Sequence, residues 1–126
     1  MNRGGPWTVI HIDGGLDCNL EVPGVHSESA YAFIHDLAKE NNGKVISFGC
    51  QSVRCSADEL GYIKSKSGES ISLSKIRSMH TPDDVKLASG IVLRTEAGKY
   101  LHKILCDAAH SPCMISWDFS SLSVSL

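Results

Sequence analysis

The feature that most constrains this chain is one amphipathic helical stripe set among many short, alternating segments. Ala30, Phe33, Ile34, Leu37 and Ala38 recur at i, i+3, i+4, i+7 and i+8, which is one apolar face of a 3.6-residue period. Glu28, His35, Asp36, Lys39 and Glu40 take the other side. Ser27 is placed to cap the start, and Gly43 stands where a C′ glycine belongs, so the pattern predicts a helix over 28–42. One such helix has one face to bury, and the remaining elements must cover it.

Most of those elements read as strands. Segments 7–12 and 16–22 flank Asp13-Gly14-Gly15, a hairpin signal, and Pro23-Gly24 ends the second segment. Residues 44–53 read as a strand leaving the helix. Ser56-Ala57-Asp58-Glu59 has capping-box form with room for about one turn. Segments 62–65 and 70–76 flank a second turn at 66–69, and Ile71 and Leu73 alternate there with Ser70, Ser72 and Ser74. Thr81-Pro82-Asp83-Asp84 opens a short helix that runs to Ser89, before Gly90. Segments 91–95 and 99–105 flank Glu96-Ala97-Gly98 as a third hairpin, although Ala97, Tyr100, Leu101, Ile104, Leu105 and Ala108 also fit a helix. Cys113, Ile115, Trp117 and Phe119 alternate with polar neighbours. Leu122, Val124 and Leu126 continue the alternation after a slip near Ser120.

The expected fold class is therefore α+β: a curved, largely antiparallel sheet of about six to eight strands packed on one long helix, plus one short helix. Hotdog-, cystatin- and NTF2-like arrangements all meet that description. At 126 residues the chain makes one domain, residues 1–126, large enough for a real core without staples. A hydrophobic fraction of 42% and a charged fraction of 21% exclude intrinsic disorder.

Charge and cysteine usage narrow the function classes. The net charge of −2 gives no long-range pull towards nucleic acid or anionic lipid. Residues 44–77 are mildly basic, which suits an anion site or a solvated face. No apolar run approaches the roughly twenty residues that span a bilayer, and the first residues do not form a secretory signal. Five cysteines, an odd number without framework spacing, are expected to be reduced thiols in a cytoplasmic protein without disulfides.

Several constellations could carry chemistry. Cys106, His110 and Cys113 read C-x3-H-x2-C, and Cys50 and Cys55 read C-x4-C; together they could hold zinc, though neither is a standard knuckle spacing. The expectation is no metal and no cofactor. Cys55, beside Arg54 and ahead of a capping box, is the best candidate for a lowered thiol pKa, but no histidine is identified as its partner. Gly14-Gly15 is followed by strand-like alternation, which makes it a turn and not a phosphate loop. In one hairpin register His11 lies opposite Asp17, and in another opposite Cys18. In the third hairpin Arg94, Tyr100 and His102 share a face that could grip an anionic or planar ligand.

These readings converge on a small cytoplasmic, non-catalytic binding module. Its small-molecule or protein ligand would sit on the concave sheet face or at a dimer interface, with His11, Asp17, Arg94, Tyr100 and His102 as binding residues. A self-paired dimer would cover the exposed strand edge. Two alternatives stand beside it. One is a hotdog-like acyl-thioester hydrolase using Asp17 and Glu28. The other is a zinc-stapled interaction protein using Cys106, His110 and Cys113.

Overall fold

A computed structural model describes residues 6–18, 30–51, 54–79, 83–109 and 111–117. In chain order the elements are β1 (Trp7–Ile12), α1 (Ala30–Glu40), β2 (Gly43–Cys50), α2 (Ala57–Ser65), β3 (Glu69–Ser72), α3 (Leu73–Ser78), β4 (Val85–Lys86), β5 (Val92–Leu93), α4 (Glu96–Ala108) and β6 (Cys113–Trp117). Four strands form a sheet in the order β3-β2-β1-β6, and every pairing within it is parallel. Only the two-residue strands β4 and β5 pair antiparallel among the described residues. The fold is α/β, not the antiparallel α+β sheet that the turn signals suggest.

The physical reason lies in the two central strands. Val9, Ile10 and Ile12 on β1, and Val45, Ile46 and Phe48 on β2, put apolar side chains on both faces of the sheet, and all six are buried. Strands buried on both faces belong to parallel sheets sandwiched between helices. One layer joins Val9 and Val45 to Tyr31, Ala32 and Ala38 of α1 and Ile63 of α2. The other joins Ile10, Ile12, Ile46, Phe48 and Ile71 to Ile76 of α3 and Ile104 of α4. Each fully buried Ile or Val contributes about 1.5–3 kcal/mol of hydrophobic stabilisation.

Helix α1 does lie on the sheet, but with another face than the stripe implies. Tyr31, His35 and Ala38 point inward, whereas Phe33 is 66% and Leu37 39% exposed. Asn42, not Gly43, takes the left-handed conformation after the helix (φ 56°). Gly43 instead opens β2 opposite Trp7, where a Cβ would lie 2.4 Å from the indole.

Three further segments are helical where alternation predicts strands. The Ser56 capping box is complete, since Ser56 Oγ accepts from Glu59 N–H and Glu59 accepts from Ser56 N–H, and it starts nine residues of helix that include 62–65. Residues after Ser72 form α3, with the Ser72 hydroxyl as N-cap. Thr95 caps α4 by accepting from Gly98 N–H, so Glu96-Ala97-Gly98 is a first helical turn and not a hairpin loop. The helix expected after Pro82 is replaced by β4 from Val85, and Thr81 and Pro82 lie outside the described residues. So do 19–22 of the first hairpin and the segment Leu122–Leu126.

Candidate metal centre

In an open parallel sheet, ligands bind beyond the carboxyl ends of the strands where the strand order reverses. Here that point is β1, because the chain proceeds from β1 to β2 and β3 on one side and returns to β6 on the other. Three polar side chains converge at the end of β1: His11 inside the strand, Asp13 just past it, and Asp17 in the following loop. His11 Nε2 stands 3.2 Å from Asp13 Oδ2 and 3.3 Å from Asp17 Oδ2. One ligand atom from each lies within 4.8 Å of the others. His11 and Asp13 are almost fully buried, at 2% and 1% exposure, and Asp17 opens to the surface.

Local backbone chemistry builds this cluster. Asp13 Oδ1 accepts from Gly15 N–H, folding the loop on itself. Asp13 N–H donates to the Phe48 carbonyl and Gln51 N–H to the Gly14 carbonyl, which stitches the loop to the end of β2. Asp17 adopts φ 55°, a left-handed conformation that Asp tolerates better than most residues. Its carbonyl accepts from Tyr31 N–H. Arg54 lies across the glycines, so close that a Cβ on Gly14 would meet its Nη1 at 2.5 Å. Its Nη2 is 3.8 Å from Asp13 Oδ1.

A polar row crosses the sheet at the level of His11. Its register partners are Ser47 on β2 and Ser116 on β6. The Tyr31 ring stacks on the imidazole. Among the described residues, His11 Nδ1 and Ser47 Oγ are buried without hydrogen-bond partners. Burial raises the Asp17 carboxyl above its ordinary pKa, with Asp13 adding to the rise and the His11 hydrogen bond opposing it. Burial also raises the Tyr31 phenol.

The donor set suits a divalent cation. One imidazole and two carboxylates are ordinary ligands for Mn²⁺, Mg²⁺, Fe²⁺ or Zn²⁺. Adjacent ligands at about 2.1 Å from an octahedral ion are about 3.0 Å apart, close to the spacings around His11 Nε2. Three protein ligands would leave further coordination positions on such an ion for a bound molecule.

Of the binding residues expected from the sequence, the structure brings together His11 and Asp17, through a loop and not through a hairpin register. It separates the others. Arg94 pairs with Asp84 at 3.3 Å. Tyr100 packs on Phe48 from α4. His102 lies on the same helix beside Cys106. Cys106 and Cys113 are exposed on different elements, and His110 lies outside the described residues, as does Glu28. Burial and the neighbouring Cys50 push the Cys55 thiol up to about 12, opposite to the lowering expected beside Arg54. Asp13, Tyr31, Ser47 and Ser116 join the site without being expected there. The available signal is an Asp that ends an apolar run and is followed by Gly-Gly, a pattern that in isolation reads equally well as a turn.

No protein-family model, curated protein or solved structure matches this chain. The functional reading therefore stands on the site itself. Among the described residues, no helix is long and apolar enough to cross a membrane.

Proposed function

We propose that the protein is a cation-dependent binding module for a small phosphate-bearing molecule. The observation that carries this reading is the convergence of His11 Nε2, Asp13 and Asp17 at the carboxyl end of the central parallel strand. The cation would hold the ligand's anionic oxygens in its open positions. Arg54, at the rim of the same loop, supplies a planar fork of donors suited to phosphate. When the cation occupies Nε2, the imidazole proton must sit on Nδ1. Ser47 Oγ, buried on the neighbouring strand at the same register, would then be the acceptor for it, a bond absent from the cation-free structure.

The test is titration of inorganic phosphate and of a nucleoside monophosphate, each with and without Mn²⁺. Binding should require Mn²⁺, weaken about tenfold in Arg54→Ala and vanish in Asp13→Asn. Equal affinity without the cation, or in Asp13→Asn, would overturn the reading.

One observation favours a second, enzymatic reading. Sites with three protein ligands and open positions are those in which a metal activates water. Mn²⁺-dependent release of p-nitrophenol from bis(p-nitrophenyl) phosphate would convert the binding site into a phosphoester hydrolase. The acyl-thioester alternative has lost its hotdog framework.

Five free thiols suit a reducing, cytoplasmic setting. Pairing of two copies along β6, an edge strand among the described residues that exposes Met114, Ile115 and Trp117, belongs to the same proposal and is read by sedimentation.

A further inference from the structure

The five thiols divide sharply by environment. Cys18 is buried, donates to the Leu16 carbonyl, and is pushed up to about 12 by burial and by Glu59. Cys50 is buried, and Cys55 is partly buried beside it. Cys106 and Cys113 are exposed. Of these two, Cys106 has a base at hand: its Sγ lies 3.5 Å from His102 Nε2, one turn earlier on α4. The opposite face of α4 is anchored by Ile104 and Ala108, which keeps the pair on the outward side.

From this geometry we infer that Cys106 and His102 form a nucleophile–base pair, and that Cys106 is a site of covalent modification by low-molecular-weight disulfides of the glutathione type. The site is separate from the His11 cluster and does not depend on the cation reading. The step is thiol–disulfide exchange. His102 Nε2 takes the proton from the Cys106 thiol. The thiolate attacks one sulfur of the disulfide, a new S–S bond forms, and the old S–S bond breaks. The departing thiolate takes up the proton from the imidazolium. The products are a mixed disulfide on Cys106 and one free thiol, so no further oxidant is consumed. His-x3-Cys on a helix needs no tertiary assembly to bring base and nucleophile together, because residues four apart share a face.

The experiment treats the full chain with glutathione disulfide and maps adducts by peptide mass spectrometry, with the rate followed in parallel using an aromatic disulfide. Modification should fall first on Cys106 and be lost in Cys106→Ser. It should persist in Cys113→Ser. His102→Ala should slow it about tenfold or more, with the fold checked by circular dichroism, and added free imidazole should restore part of the rate. A merely structural role for His102 predicts no such rescue. Modification falling first on Cys113 or Cys55, or a rate unchanged in His102→Ala, would overturn the inference.

Discussion

The His11 imidazole lies flat against the Tyr31 ring, with centroids 3.5 Å apart and planes within 5° of parallel. This contact joins the end of β1 to the first turn of α1, and it fixes the ring that aims Nε2 at Asp13 and Asp17. The two ends of Tyr31 do different work. Tyr31→Phe keeps the stack and removes only the hydroxyl, at a cost of about 1 kcal/mol or less. Tyr31→Ala removes the buried ring, costs about 3–5 kcal/mol and frees the imidazole to rotate. Urea unfolding checks the stabilities, and cation affinity should fall far more in the alanine variant.

Ser47 separates binding from folding. Its buried hydroxyl has no partner among the described residues, so Ser47→Ala should leave the cation-free protein as stable as before, or more stable by up to about 1 kcal/mol. The same change removes the acceptor proposed for His11 Nδ1–H and should weaken cation binding about tenfold or more. Parallel measurement of urea midpoint and Mn²⁺ affinity reads both effects, which have opposite signs.

Gly43 is held by its strand partner. A methyl group there would lie 2.4–2.6 Å from three atoms of the Trp7 indole. Gly43→Ala should force the ring off the β1–β2 ladder and cost about 1–3 kcal/mol. The measurement is thermal unfolding together with Trp emission, which should shift to the red as the indole gains water.

His35 makes stability depend on pH. Its ring is fully buried on α1, with neither nitrogen hydrogen-bonded among the described residues, and burial lowers its pKa to about 4. The unfolded chain takes up the proton near 6.5 and the folded chain near 4, so stability is present at neutral pH and drains away as pH falls between those values. The loss amounts to about 3 kcal/mol and levels off below pH 4. His35→Leu should flatten the slope between pH 6.5 and 4 in denaturant titrations. Asp36 titrates lower, held down chiefly by its hydrogen bond from Tyr62, and lies largely outside that window.

What is legible in the sequence depends on how local the signal is. The Ser56 box, the segments of β1 and β2, and an amphipathic helix within 28–42 are all readable from neighbouring residues, and the structure contains each, the helix at Ala30–Glu40. Strand direction is not local. Gly14-Gly15 resembles a hairpin loop, yet here the glycines accommodate the Arg54 side chain. The better clue is that Val9 and Ile10, like Val45 and Ile46, are apolar at both parities, which only a sheet covered on both faces can bury. The stripe misleads because Phe33 and Leu37 face outward while Tyr31 and His35 fill the interface. His11 and Asp17 are close enough along the chain for their pairing to be legible. Asp13 gains its meaning only once parallel strands place their carboxyl ends side by side.

The central claim is that His11, Asp13 and Asp17 hold a divalent cation, and calorimetric titration of Mn²⁺ into the purified protein tests it most directly. The account predicts one ion per chain, with binding abolished in Asp13→Asn combined with Asp17→Asn while the fold persists. No heat of binding in the unaltered protein, or the same isotherm in the double variant, would contradict it.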